Sequence, residues 1–199
     1  MYNKVDTNMN FVEREKKTEQ FWRENNIFRK SMENRKEGET YTFYDGPPTA
    51  NGKPHIGHVE TRTIKDMIPR FQTMKGKYVP RKAGWDTHGL PTELKARKKA
   101  GIGNSAEISV VELRKMCEEF VKGYINDQRT QFKRLGVIGE WDKPYITLNH
   151  EFEAEQIRVF AEMATKGYIY KGLKPVYWCP ECKTALAEAE IEYAEDPCH

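Results

Sequence analysis

Apolar positions along the chain recur at two different spacings, and the changes from one to the other predict its elements. Asn10 followed three residues later by Glu13 has the form of a capping box. Phe11, Thr18, Phe21 and Trp22 fall near one face of the helix it would open, to about Asn25. The period then changes to two: TYTFYDG, residues 40–46, sets Tyr41 and Phe43 between Thr40 and Thr42 and stops at Asp-Gly, which predicts a short strand. From Ile56 the apolar residues Val59, Met67, Ile68, Phe71 and Met74 return to helical spacing. Gly76 is the predicted stop, and Pro69 is expected to kink or break the helix. A second extended run, YVPRKAG at 78–84, leads through WDTHGLP at 85–91 into a charged helix ending near Ala100.

Further on, Ser109 and Glu112 repeat the capping pattern ahead of a long helix whose predicted buried stripe is Leu113, Met116, Cys117, Phe120, Val121 and Tyr124. Residues 150–166, after Asn149, predict another helix, with Phe152, Ile157, Phe160, Ala161 and Ala164 as its apolar positions. PVYWC at 175–179 predicts a strand entering a Cys-Pro-Glu-Cys turn. Strands alternating with helices define an α/β fold with a parallel sheet, in which ligands sit beyond the carboxyl ends of the strands.

Composition narrows the classes of function. The 199 residues are 38% hydrophobic, enough for one sizeable core. No run of about 18 apolar residues occurs, and the first 30 residues are too charged for a signal peptide, so a cytoplasmic chain with no membrane partner is expected. Lys and Arg exceed Asp and Glu by 33 to 30, a surplus that permits contact with nucleic acid without arguing for it. The basic groups Lys75/Lys77/Arg81/Lys82 and Arg97/Lys98/Lys99 read first as solvated faces.

The stretch DGPPTANGKPHIGHVETR, residues 45–62, concentrates the candidate chemistry between the first strand and the next helix. A helix start there offers unpaired N–H groups and a positive dipole end to an anion, phosphate first of all. Gly52 and Gly57 permit close backbone approach, Pro47 and Pro48 stiffen the strand exit, and His55 and His58, three apart, share a face from which two N–H donors can meet one developing charge. An ordinary turn with solvated histidines is the alternative. Neither HExxH nor a nearby carboxylate-cysteine set supports a zinc site at this pair.

HIGH at 55–58 behind DGPPTANGKP, with GWDTHGLP at 84–91, closely resembles the class I aminoacyl-tRNA synthetases, and among them the isoleucyl-tRNA synthetase family. DMIPRFQTMKGKYVPRKAGWDTHGLP and PVYWCPECKTALAEAEIEY extend the resemblance from about residue 6 to 193. It implies ATP, with Mg2+, bound over Gly52, His55, Gly57 and His58. It also implies isoleucine held by Asp86 at its ammonium group and bordered by the Pro47–Pro48 backbone, with tRNA(Ile) receiving the product. The implied fold is the first half of a Rossmann-like nucleotide-binding domain. Its expected divisions are a helical arm at 1–39, the half-domain at 40–174 and the start of a Cys-containing editing insertion at 175–199. The family's Lys-Met-Ser-Lys-Ser type loop, the bulk of its editing insertion and its anticodon-binding helices have no counterpart in these residues, so an amino-terminal portion is expected. Glu60, Thr92, Lys95 and Arg97 depart from the family's usual residues and put fine catalytic competence in question. A structural Asp86 capping the next helix, and a non-catalytic module retaining part of an ATP site, are the competing readings.

Cys179 and Cys182 have the spacing that lets two thiolates reach one tetrahedral zinc from a tight turn; a thioredoxin-like redox pair is the rival. Two more ligands are needed. Cys198 and His199, adjacent to each other, make poor candidates, so an incomplete half-site is expected.

Overall fold

The computed structural model of the chain describes residues 7–103 and 107–194. Among these residues six α-helices run in the order α1 (Phe11–Glu24), α2 (Ile27–Glu33), α3 (Ile56–Met74), α4 (Leu90–Lys99), α5 (Val110–Arg134) and α6 (His150–Thr165). The strands are β1 (Lys82–Trp85), β2 (Glu140–Ile146), β3 (Trp178–Cys179) and β4 (Thr184–Ala185). β1 and β2 pair in parallel, and β3 and β4 form a small antiparallel hairpin around the cysteine turn.

The caps explain why helices begin where they do. Asn10 accepts from Glu13 N at 3.2 Å and Ser109 from Glu112 N at 3.2 Å, each satisfying a first-turn donor that has no partner within its helix. Gly76, at φ +89°, follows the last turn of α3 and takes the left-handed conformation that ends a helix most cheaply. α3 runs through Pro69 without the break that a proline can make. Pro69 is itself buried, and its carbonyl accepts a bond from Thr73 Oγ1 at 2.7 Å.

The predicted strand at 40–46 is extended but forms no ladder. Its residues alternate between half-buried and exposed from Tyr41 to Gly46, as the period of two requires, yet it meets the β1 segment only at isolated parallel bridges, Thr40 with Tyr78 and Thr49 with Asp86. Across β1, the strand that pairs fully is β2. Its register shifts between Lys82 and Gly84, and the Tyr145 ring lies where any side chain at position 84 would have to go. Glycine there is a packing requirement.

The core joins Ala50, Ala83 and Trp85 to Ala96 of α4, to Phe120, Val121, Ile125 and Phe132 of α5, and to Trp141 of β2. The α5 stripe matches its predicted upper half and continues to Gln128 and Phe132. Two other helices depart from expectation. In α3 the buried residues are Arg62 and Pro69, whereas Ile56, Ile64, Met67, Phe71 and Met74 are exposed. In α6 none of the expected apolar positions is buried, and Phe160 is 58% exposed. Amphipathic periodicity assigns a face but not its partner, and among the described residues these two faces stay largely uncovered, with Phe152 half-buried where it stacks on Tyr145.

The inner face of α3 is held by charge. Asp45, 19% exposed, accepts from Arg62 and, at 2.6 Å, from Lys65. Asp66 pairs with Arg70 and accepts from Ile138 N at 3.1 Å, while Arg70 Nη2 donates to the Gly136 carbonyl at 2.5 Å. Arg81 and Arg97, expected on solvated faces, are largely buried. Arg97 pairs with Glu93 one turn away. At the other end of α5, Arg134 takes Glu15 and Glu19 of α1 at 2.8 and 3.1 Å.

Removing Phe132, fully buried between Trp141 and the Arg62 guanidinium, should therefore cost about 3–5 kcal/mol as Phe132→Ala, whereas Phe160→Ala on α6 should stay within about 0.5 kcal/mol. Urea unfolding of the two variants checks the contrast. Equal costs would mean that the α6 face is packed in solution.

Candidate active site

The site starts from two backbone hydrogen bonds. Asp86 N donates to the Pro48 carbonyl at 3.0 Å and Ala50 N donates to the Asp86 carbonyl at 2.8 Å, which ties the exit of the first extended segment to the end of β1. Pro48 is buried and Pro47 half-buried beside this bridge. Two residues beyond Ala50 the chain reaches Gly52, and at His55 it turns into α3.

His55 occupies the N-cap position of α3 in an extended conformation. Its backbone N donates to His58 Nδ1 at 3.3 Å, and the two imidazoles lie 3.9 Å apart between ring centroids. Gly57 is what lets them meet: a Cβ on it would come within 3.1 Å of the His55 ring. A neutral imidazole that accepts at Nδ1 carries its proton on Nε2, so His58 has one N–H to offer a ligand. Burial, then the neighbouring His55 and the Arg62 cation, push the His58 pKa below its ordinary value. The free first-turn N–H groups of α3 point to the same end of the helix.

Asp86 is half-buried. Its Oδ1 accepts from His88 N at 3.3 Å, a local turn bond, and the N-cap of α4 is Gly89. Asp86 does not cap that helix. Among the described residues no hydrogen bond to its second oxygen is found. The structure thus joins Pro48 and Ala50 to Asp86 at the end of β1, and brings His55 and His58 together across Gly57 at the start of α3.

Cys179 and Cys182 sit together in the β3–β4 turn, where Cys182 N donates to Cys179 Sγ at 3.4 Å. That bond and the Cys182 thiol lower the Cys179 pKa, and the same pairing raises that of Cys182. Among the described residues no group of three or more His, Cys, Asp or Glu side chains is placed to hold a metal. Cys198 and His199 lie outside the described residues.

Three participants escaped the sequence reading. Asp45 opens the quoted stretch but looks like turn chemistry until Arg62 and Lys65 are seen on it. Thr147 fixes the end of β1 through Thr87, whose N donates to Thr147 Oγ1 at 3.0 Å. Gln128 bonds both to the loop and to β1. Its signal was present as an amide on the stripe Val121, Ile125, Phe132, where an apolar residue is expected.

The His55–His58 helix start and the Asp86 strand end lie on two loops whose order along the chain can be compared with known proteins, and that comparison identifies the class. Residues 17–197 match the tRNA synthetases class I (I, L, M and V), and the chain belongs to that family. More particularly, it is similar to isoleucine–tRNA ligases. That of Caldicellulosiruptor bescii is 56% identical over 187 residues, 94% of this chain and 20% of that protein. That of Desulfitobacterium hafniense is 53% identical over 190 residues, 96% of this chain and 20% of that protein. Among solved structures, the Agrobacterium radiobacter LeuRS in its ternary complex with tRNA and LeuAMS superposes with a TM-score of 0.69 at 27% identity, over 88% of this chain and 20% of that one. The chain spans about a fifth of the length of the curated relatives it matches.

With its pKa depressed, His58 should be neutral at pH 7 and titrate below the ordinary value of about 6.5. An NMR pH titration of its ring proton checks this. A midpoint at or above that value would make the residue a cation rather than a single-donor imidazole.

Proposed function

We propose that the chain carries the ATP- and amino-acid-binding part of an isoleucine–tRNA ligase: the site that activates isoleucine to isoleucyl-adenylate before its transfer to tRNA(Ile). The observation that supports this reading is the bridge between Thr49 and Asp86, which joins the loop leading to His55 and His58 to the strand end that carries Asp86. The triphosphate, as its magnesium complex, would lie over Gly52, Gly57 and the α3 N-terminus, with His58 Nε2–H and the His55 ring toward its phosphates. Asp86 would pair with the isoleucine ammonium and thereby aim the carboxylate at the α-phosphate. The Pro47–Pro48 backbone would border the side chain. Attack of a carboxylate oxygen on the α-phosphorus displaces pyrophosphate. Negative charge spreads over the transferring phosphorus oxygens, and donors already in place stabilise it more than they stabilise the ground state.

The same reading divides the chain into a helical arm at 1–39, the first half of the nucleotide fold at 40–174 and the start of a Cys-containing insertion at 175–199, in a cytoplasmic protein. No described helix is long and apolar enough to cross a membrane. Cys179 and Cys182 would supply half of a tetrahedral zinc site, a reading supported by the hydrogen bond between their two thiols in one turn.

Two outcomes follow. Asp86→Ala should weaken isoleucine about 30- to 100-fold, from the loss of a charge-assisted partner, while moving ATP affinity little; calorimetric or NMR titration of each ligand checks it. Equal weakening of both, or of neither, would return Asp86 to a structural role. Zinc added to the chain should be stripped by a mild chelator, because two thiolates leave half the coordination sphere to water. Tight equimolar zinc that survives the chelator would show a completed site, with Cys198 and His199 the residues to test.

A further inference from the structure

Between Ala50 and His55 the chain crosses from the strand bridge to the helix start, and among the described residues 51–54 make no backbone–backbone hydrogen bond. Two side chains hold this crossing. Lys95 Nζ reaches Asn51 Oδ1 at 3.3 Å from an exposed position. Gln128, 1% exposed, reaches it from the core.

Every hydrogen of the Gln128 amide is used. Nε2 donates to the Thr49 carbonyl at 3.1 Å and to the Gly52 carbonyl at 2.8 Å, while Oε1 accepts from Trp85 Nε1 at 3.0 Å. Trp85 immediately precedes Asp86 and is 1% exposed, with the Arg129 guanidinium 5.4 Å from its ring. One buried amide thus joins the loop that leads to His55 with the residue beside the ammonium-binding carboxylate. A glutamine on an otherwise apolar stripe would be costly to bury for packing alone, and its geometry is satisfied only while loop and strand keep this relation.

Resting on the reading of the site given above, we propose that Gln128 is a positioning residue that couples the nucleotide loop to the amino-acid loop. It touches neither substrate. It fixes Gly52 relative to Trp85, so that ordering the loop around a triphosphate also sets the strand end that carries Asp86. Coupling of this kind is reciprocal between the two ligands.

The indole N–H of Trp85 reports on the joint directly, and only four tryptophans share its region of a 1H–15N spectrum. Trp85→Phe assigns the resonance. The chain is titrated to saturation with magnesium and α,β-methylene-ATP, with His58 as the monitor of binding, and isoleucine affinity is then measured with and without the nucleotide. In the unsubstituted chain the nucleotide should move the Trp85 resonance and tighten isoleucine several-fold. Gln128→Glu, isosteric but without the two donors, and Gln128→Met, of similar volume but without polar atoms, should still show the nucleotide-induced shift of His58. In both, the tightening should vanish, and in the Met variant the Trp85 resonance should no longer respond. Should the Glu variant fail to fold, the Met variant carries the test. Tightening that survives in either folded variant overturns the inference and leaves Gln128 a core residue only. If the nucleotide fails to shift His58 even in the unsubstituted chain, the reading of the site itself falls and this inference with it.

Discussion

The pair of backbone hydrogen bonds joining Pro48 and Ala50 to Asp86 is the constraint on which the rest of the site depends. It is a parallel bridge, and parallel pairing between neighbouring segments needs a long crossover, here supplied by α3. Because the bridge falls at the end of both segments, each chain leaves it in the same direction. One departs through Gly52 to the His55 helix start, the other through Thr87 and His88 to α4. Had the first segment laddered along its whole length, side chains would be fixed with no more effect on the site. What counts is that its last residue is paired.

Around that point the structure uses polar groups where a small α/β unit would ordinarily use apolar ones. Asp45 and Asp66 collect cations from α3, Gln128 gathers two carbonyls and an indole, and Thr87 and Thr147 share a 2.8 Å contact between their hydroxyls. Apolar contacts are tolerant of sliding, whereas hydrogen-bonded networks have few arrangements that satisfy all members. The effect is directional registration of the loops, with the aromatic cluster of Trp85, Phe132 and Trp141 supplying burial behind it.

Helix boundaries were legible because capping is local: Asn10, Ser109 and Gly76 announce themselves within four residues. The family was legible because two loops, HIGH at 55–58 and GWDTHGLP at 84–91, stand in the order that family has them. What the pattern could not give was pairing. β2, EWDKPYI, carries four charged or proline positions in seven and has only Trp141 fully buried, so nothing in its period marks it as the strand beside β1. For TYTFYDG the alternation correctly predicted extended geometry, but alternation has no term for a neighbour, and the ladder is absent. Likewise the apolar spacing of α3 and α6 described faces correctly while leaving open whether they turn inward. In α3 Arg62, buried on Phe132 and Asp45, decided the matter, and a single arginine among eleven polar or small residues carries no such signal beforehand.

The inverted α3, ion-paired within and apolar without, has a thermodynamic consequence of its own. Hydration of its outward residues, Ile64, Met67, Phe71 and Met74, carries a large heat capacity, so the drive to cover them grows on warming from the cold and is strengthened by sulfate or phosphate salts. The inward pairs of Asp45 and Asp66 are partly shielded from ionic screening and respond far less. Temperature and salt therefore act on opposite sides of one helix with unequal force: cooling in low-sulfate buffer quiets its outer face while leaving the anchorage of the loop that leads to His55 almost untouched.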